Sequence, residues 1–438
     1  MTKDSLAIAI EALSWMAYAG LSERAALLKA TNELKVDNSS AIRQAHRQIM
    51  ETSRFQNRLE RIITQVLPDE RFARTPHGIR SFLKLLVYSK YVENVRDKDL
   101  ERLVYSAREI LGWKELKPYE ESVARLAEGT LSLDYSTESE RLAIETCHPG
   151  WYVDRLMVTF GRSLALRILQ RDLYALPTYV RVNTLKTKNE DDSLHSLNGQ
   201  RVEGVKNVIR ISGTSHLDAR RELASEGKIV VQDLASVLTG LIAAPHPGET
   251  VLDVCASPGN KTTHLAAEMQ NEGEICSVEF SMARIPQWRK EVGRTGCSIA
   301  QLIRADARTL PIEGSFDTVL VDPPCSNTGV YARNPAAKWE TTYNEVRELS
   351  ARQTAILQSS STHVRDGGTL VYCTCSILPE ENEFVLQTFL AKNPEFTLAP
   401  QKPFIGSPGL RGFERCQRLY PHIHECNGYF IARMRRQA

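Results

Sequence analysis

The sequence predicts an α/β protein: a doubly wound, mostly parallel sheet in the C-terminal half, a small α+β unit before it, and an all-helical N-terminal region. Three observations carry this. From Thr250 onward, short apolar runs alternate regularly with helical stretches, as in successive βαβ units. Between about 136 and 231, helical periodicity mixes with short strands set apart by Gly and Asn turns. Residues 1 to about 125 keep helical periodicity almost throughout. The domain boundaries drawn from these shifts are 1–135, 136–230 and 231–438.

The 438 residues are 42% apolar and 25% charged, which suits a globular protein of two or three domains with a large core. A net charge of +2 is too small for a global field, so an anionic partner must be met by local patches. Nine cysteines, with no signal peptide and no apolar run of transmembrane length, point to reduced thiols, a cytoplasmic protein and no membrane partner. No CxxC pair occurs, so no metal is expected. A monomer is expected.

In the helical region the most legible helix is Ser40 to Leu67. At about 100° per residue, Ile42, Ala45, Ile49, Phe55, Leu59, Ile62, Ile63 and Val66 share one side. Arg43, Arg47, Arg54, Arg58 and Arg61 fall within roughly 60° of one another on the other side. Such a stripe is either a phosphate track or a solvated face balanced by Glu51 and Glu60. In the α+β unit, helices are read over Glu138–Cys147 and Tyr152–Leu173, and strands over 179–183, 205–211 and 228–231. Arg181, Asn183 and Lys186, at a strand end, could meet phosphate or sugar, or be merely solvated.

The sheet begins at Val251–Cys255. The turn Ala256-Ser257-Pro258-Gly259-Asn260-Lys261 then opens a helix, and Gly259 lets the backbone approach a ligand at that helix N-terminus. The next strand, Glu274–Val278, ends at Glu279, about twenty positions beyond the turn, where an acid suits a ribose hydroxyl pair. A third strand, Ile299–Arg304, ends near Asp306, which by position could bind the amine of an adenine. A fourth, from Phe316, stops at Asp322 because Pro323 and Pro324 cannot continue a ladder. Three acids closing successive strands favour a nucleoside-bearing cofactor. Thr369–Tyr372 reads as a buried strand bracketed by Gly367-Gly368, followed by Cys375 and then Pro379-Glu380-Glu381 as a helical first turn. If the strands ending at Asp322 and Cys375 are parallel neighbours, about 4.8 Å apart, then Asp322, Cys325 and Cys375 line one rim. A helix N-terminus nearby favours thiolate there.

These residues resemble the RsmB-like, or Sun/Nop, family of S-adenosylmethionine-dependent RNA cytosine-5 methyltransferases, from about His148 to Arg433. The motifs are Arg181–Lys186, Val231–Ser236, Asp253–Lys261, Asp322–Gly329, Thr374–Ser376 with Pro379–Glu383, and Pro421–His424 with Gly428–Ala432. The resemblance implies a Rossmann-like, seven-stranded methyltransferase sheet, an RRM-like unit before it, and a NusB-like N-terminal domain. It implies S-adenosylmethionine as cofactor, bound by residues 255–261, Glu279, Asp306 and Asp322. It also implies Cys375 as nucleophile, Asp322 at ring nitrogen 3, and Cys325 assisting release. Arg333 and Lys338 are then the nearest candidates for RNA backbone contacts, or else surface charge. Two residues depart from the family pattern: Asn260 and Asn327 stand where glycine is usual, and Asn tolerates left-handed geometry better than most residues. The RNA is expected to be ribosomal, by analogy with the helical N-terminal module, with transfer RNA as the alternative. An amino-group methyltransferase would not need the two cysteines. A non-catalytic RNA-binding ribosome assembly factor is the alternative from outside the enzymes.

Overall fold

The computed structural model describes residues 1–129, 131–187, 190–211 and 216–437. They form two compact units, Met1–Leu173 with Asn334–Glu340, and Tyr174–Arg333 with Thr341–Ala438. The sequence-based boundaries fall instead at 135 and 230. The helices Glu138–Glu145 and Gly150–Arg171 lie within the first unit, where Asn57 Nδ2 donates to the carbonyls of Ala143 at 2.9 Å and His148 at 3.1 Å.

The first unit is helical. Its opening helix, Lys3–Ala19, is capped by Thr2, whose hydroxyl accepts from the Ser5 amide. Leu6, Ile10 and Leu13 of that helix share one buried core with Ile49, Leu59, Ile63, Phe82 and Leu86. The single helix expected over 40–67 is two helices, Ser39–Arg54 and Gln56–Thr64, broken at Phe55 with φ −102° and ψ 12°. Tertiary contacts explain the break. The Phe55 ring packs on Tyr88, centroids 5.9 Å apart. The Ser53 carbonyl accepts from Trp339 Nε1 at 2.7 Å, and the Arg54 carbonyl from Lys338 Nζ at 3.4 Å.

The second unit holds two sheets. The smaller is antiparallel, with β1 (Thr178–Val182), β2 (Gln200–Arg201), β3 (Val208–Ile211) and β4 (Ile229–Val231) in the order β2-β3-β1-β4. The larger comprises β5 (Thr250–Val254), β6 (Glu274–Val278), β7 (Ala300–Ile303), β8 (Phe316–Val321), β9 (Val364–Thr374), β10 (Phe396–Leu398), β11 (Ser407–Pro408), β12 (Gln417–Leu419) and β13 (Tyr429–Arg436). Its order is β11-β12-β13-β9-β8-β5-β6-β7, with β10 also paired to β13. β5 to β9 run parallel and β13 antiparallel to β9. The nine strands are the seven of the expected sheet with the short β11–β12 pair added beyond them.

Successive residues of the central strands feed opposite faces. Val319 and Val321 of β8 and Leu370 and Tyr372 of β9 join one core. Leu320, Val371 and Cys373 join the other, with the helices Leu234–Ala243 and Asn260–Glu268. Both faces are covered, so these strands read as continuous apolar runs. Gly367 and Gly368 lie inside β9 rather than bracketing a shorter strand. There the ladder to β8 shifts register between Phe316 and Thr318, with Gly367 at φ 68°. The strand order reverses at the neighbours β5 and β8, and in an open α/β sheet the crevice beyond the strand ends at that point is where ligands sit.

Candidate active site

β8 and β9 are parallel neighbours with Val321 opposite Tyr372, so the loops after them leave the sheet side by side. Asp322 extends the ladder by one bond, its amide donating to the Val254 carbonyl at 3.2 Å. The geometry then brings the expected rim together. Cys325 Sγ lies 3.0 Å from Cys375 Sγ, and Cys375 Sγ lies 3.1 Å from Asn327 Oδ1. Asp322 Oδ2 accepts from Lys261 Nζ at 2.5 Å, and Asp322 Oδ1 accepts from the Cys373 thiol at 3.4 Å.

Two sulfurs this close cannot both carry charge. The Cys325 thiol is pushed well up, first by its hydrogen bond to Cys375 and then by burial, so Cys325 keeps its proton and can donate it toward Cys375. Burial and the nearby Asp322 carboxylate likewise hold Cys373 protonated. At Lys261 burial works against the charge, but the Asp322 carboxylate outweighs it and the ammonium is held.

The two loops are locked to each other by groups that sequence reasoning missed. Gly329 donates to the Cys375 carbonyl at 2.9 Å and accepts from the Gly428 amide at 2.7 Å. A Cβ at Gly329 would stand 2.0 Å from the Gly428 oxygen and 2.7 Å from that of Cys375, so only glycine fits. The fully buried Glu381 carboxylate accepts from the Ser326 amide at 2.8 Å, from the Ser326 hydroxyl, and from Gln353 Nε2 at 2.9 Å. Asn382 bridges Thr374 Oγ1 at 2.5 Å and the Ser376 carbonyl at 2.9 Å. Glu383 pairs with buried Arg418, which also donates to the Ile377 carbonyl at 2.8 Å. The acidic run expected to open a helix is thus a 3-10 turn, Pro379–Glu381, followed by the helix Glu383–Lys392. Its acids point inward as clamps. Nothing in an acidic run after proline separates the two cases.

The cofactor residues lie along the same strand ends. A cavity of about 270 Å³ is lined by Cys255, Glu279, Phe280, Arg284, Asp306 and Pro324, among others. Glu279 is 4% exposed; one oxygen accepts from the Ser281 amide at 2.8 Å, while Oε2 is buried without a hydrogen bond, in an ion pair with Arg284 Nη1 at 3.6 Å. A buried carboxylate with one oxygen not yet hydrogen-bonded at this position fits a ribose hydroxyl. Asp306 is pulled down to about 2 by its hydrogen bonds from Arg308, so it stays an acceptor. Positive φ falls on Cys255 (66°) and Gly259 (105°). Asn260 instead takes the first helical position and makes no use of left-handed tolerance, whereas Asn327 does, at φ 58°. Ser257 Oγ is buried and unpartnered. Thr262 Oγ1 ties the helix to Asp253 of β5 at 2.6 Å. The cavity and turn fit a nucleoside-bearing cofactor.

The cationic residues expected to meet RNA are mostly occupied, and several expectations are corrected. Arg54 is 3% exposed; it donates to the Asp172 carbonyl at 2.7 Å and pairs with Glu51 at 3.2 Å. Arg58 is half-buried, and Arg61 pairs with Glu140 at 3.5 Å and donates to the Asp134 carbonyl at 3.0 Å. Of the stripe, Arg43 and Arg47 are exposed, and Arg47 pairs with Glu93 at 3.3 Å. The break at Phe55 and the packing of later helices over this face dissolve the track. Arg181 is buried, donating to Gln232 Oε1 at 2.9 Å and Thr263 Oγ1 at 3.2 Å, and burial pulls it down to about 10. Asn183 is buried as well and donates to the Gly227 and Thr295 carbonyls, both at 2.8 Å. Lys338 is fully buried; it donates to the Cys147 carbonyl at 3.0 Å, and burial pulls it down to about 8. Arg333 is held by Asp233 at 3.1 Å and Asn427 Oδ1 at 3.1 Å. Lys186 is exposed, its ammonium 3.1 Å from the Glu226 carbonyl. Among the described residues no helix is long and apolar enough to cross a membrane, and no cluster of His, Cys, Asp or Glu could hold a metal ion.

Comparison with known proteins bears on this site. Residues 240–435 match the family model described as 16S rRNA methyltransferase RsmB/F. The probable ribosomal RNA small subunit methyltransferase B of Bacillus subtilis is 30% identical over 372 residues, 81% of this chain and 82% of its own. Ribosomal RNA small subunit methyltransferase B of Salmonella paratyphi B is 32% identical over 314 residues, 70% of this chain and 69% of its own. Among solved structures, PH0851 superposes with a TM-score of 0.87 at 26% identity over 99% of both chains. A methyltransferase homolog from Pyrococcus horikoshii gives 0.59 at 29% identity, over 69% of this chain and 100% of its own. NSun6 from Pyrococcus horikoshii, solved with SFG, shares the fold at a TM-score of 0.60 and 23% identity, over 66% of this chain and 98% of its own.

Proposed function

Because the chain belongs to the RsmB/F family of 16S rRNA methyltransferases, we propose that it methylates carbon 5 of a cytosine in small-subunit ribosomal RNA, through a covalent adduct of Cys375 at carbon 6. The observation that carries this reading is the 3.0 Å approach of the Cys325 and Cys375 sulfurs beside an Asp322 paired to Lys261. S-adenosylmethionine is the cofactor, and when bound it supplies the electrophilic methyl group.

Carbon 5 of cytosine is a poor nucleophile until a thiolate adds to carbon 6. The Cys375 sulfur, its proton first released to solvent, forms that bond as thiolate, and the ring electrons shift so that carbon 5 becomes electron-rich while nitrogen 3 takes up a proton. The Lys261–Asp322 pair, 2.5 Å apart, supplies that proton and steadies the charge developing on the ring. Once Cys375 is bound to carbon its sulfur no longer carries charge, and the chief influence holding the Cys325 proton is gone. Once carbon 5 has taken up the methyl group, Cys325 can give its proton to solvent and remove the one left on carbon 5. The electrons of that bond expel Cys375 as thiolate, and the nitrogen 3 proton returns to the Asp322 pair. The target base must reach this rim from a single strand or by flipping.

Bisulfite sequencing of ribosomal RNA from a deletion strain tests the reading. One cytosine in the small-subunit RNA should lose its protection, and plasmid-borne protein should restore it while the Cys375→Ala variant should not. An unchanged 5-methylcytosine pattern in the deletion strain overturns it.

A further inference from the structure

Asn327 sits on the exposed rim of the Asp322–Gly329 loop, held in the left-handed region at φ 58°. Its backbone is tied down locally, the Asn327 carbonyl accepting from the Val330 amide at 3.0 Å. Its side-chain amide lies 3.1 Å from Cys375 Sγ, on a sulfur that also meets Cys325 at 3.0 Å. An amide presents two faces. Its oxygen accepts from a thiol, and half a turn about the terminal side-chain torsion brings its NH₂ to the same place as a donor. A sulfur about to lose its proton and attack a ring needs donors, because thiolate is stabilised by hydrogen bonds it accepts.

We propose that Asn327 is a positioning residue for the nucleophile: its amide accepts the Cys375 proton's hydrogen bond in the resting thiol and turns to donate to the thiolate. Together with the Cys325 S–H it fixes the sulfur from two sides and aims its remaining lone pairs at the incoming base. The left-handed backbone matters here. It directs the residue-327 side chain toward the Cys375 loop, and a glycine would keep the turn while offering the sulfur nothing.

The inference rests on Cys375 being the nucleophile, so the experiment reads the sulfur itself as well as the reaction. Cys375 in the full-length protein is alkylated with iodoacetamide across pH, its peptide followed by mass spectrometry, in wild type, Asn327→Gly and Asn327→Asp. Glycine accepts φ 58° without strain, and unchanged thermal melting guards the fold. Removing the donor should slow alkylation at pH 7 about tenfold, equivalent to roughly 1.4 kcal/mol. Aspartate, which repels a thiolate, should slow it further, and the pH profile should move upward in both. Single-turnover methylation of an rRNA fragment should fall in parallel, with KM for RNA unchanged. Wild-type alkylation rates in both variants overturn the inference. If instead Cys375→Ala still methylates RNA, the nucleophile assignment itself fails, whatever the Asn327 variants do.

Discussion

Glu381 offers the sharpest test of how the two cysteine loops are held. Its carboxylate is fully buried and accepts from the Ser326 amide, the Ser326 hydroxyl and Gln353 Nε2. In Glu381→Gln the remaining oxygen can keep the two N–H donors, and the new NH₂ can donate to the Ser326 oxygen, which is able to accept. The variant should therefore stay within about 1 kcal/mol of the parent. In Glu381→Ala, Gln353 still reaches the Pro324 carbonyl at 2.9 Å, but the Ser326 amide is left buried and unpaired at a cost of about 1–3 kcal/mol. The lost side chain adds a cavity, for a total of about 3–5 kcal/mol. For a unit of this size that corresponds to a drop in Tm of roughly 6–20 °C. Burial raises the Glu381 carboxyl above its usual 4.5. Its contribution to stability is thus complete below that value and is lost as pH rises through the folded-state value. The uncharged Gln has nothing to lose, so its melting temperature should gain on the parent as pH climbs from about 4.5. Calorimetry at several pH values measures this, and a denaturing gel in a Cys325→Ala background should show adduct forming normally with Gln and more slowly with Ala. A Gln variant as damaged as Ala, or a harmless Ala, would refute the reasoning.

Four further outcomes are expected. Cys325→Ala should accumulate a heat-resistant protein–RNA band in the presence of S-adenosylmethionine, and Cys375→Ala should show none; the opposite pattern would exchange their roles. Glu279→Ala should weaken S-adenosylmethionine binding by roughly 10- to 100-fold, as expected for loss of about 1.5–3 kcal/mol of charged hydrogen bonding; Asp306→Ala should weaken it less, and calorimetric affinities equal to wild type would remove both from the site. Arg54→Gln should lower the melting temperature of the helical unit, costing about 2–4 kcal/mol for the buried donor lost to Asp172 and Glu51; the joint Arg43→Gln, Arg47→Gln variant should leave melting unchanged, and the reverse result would put Arg54 back on the surface. Gly329→Ala should cost more than about 2 kcal/mol and abolish the adduct, since its Cβ would be driven against the Gly428 and Cys375 carbonyls; a fully active Ala variant would contradict the loop packing.

The sheet and its acids were legible because their signals are local. Pro323 and Pro324 end a strand wherever it lies, and a run such as Thr369–Tyr372 is apolar because both faces are covered. The ends of β5, β6 and β8 then follow to within a residue. The break at Phe55 was invisible because it preserves phase. Ile49 before it and Leu59, Ile62 and Ile63 after it all enter one core, so the periodicity runs straight through. The arginine stripe failed for a related reason. Periodicity assigns residues to a face, but what covers that face is set by partners such as Asp172 and Lys338, far along the chain. Glu381 was lost because an acid after a proline has the same composition whether it caps a helix in water or clamps a loop in the interior. Lys261 is legible as the end of the cofactor turn, yet its pairing with Asp322 joins two loops whose approach only the sheet order reveals.

The stretch Asn334–Glu340 has a bearing on how this protein could have been assembled from parts. It leaves the catalytic unit after Arg333 and rejoins it at Thr341, only a few residues past the cysteine loop. Its Lys338 and Trp339 complete the helical unit through the carbonyls of Ser53, Arg54 and Cys147. A gene shortened to begin at Tyr174 would keep the loan while deleting the borrower, leaving an ammonium and an indole with their partners gone. One ending at Leu173 would leave those three carbonyls without these donors. Recombination at a single point therefore cannot add or remove the N-terminal region cleanly, and any lineage that discarded it would have to rewrite this loop as well.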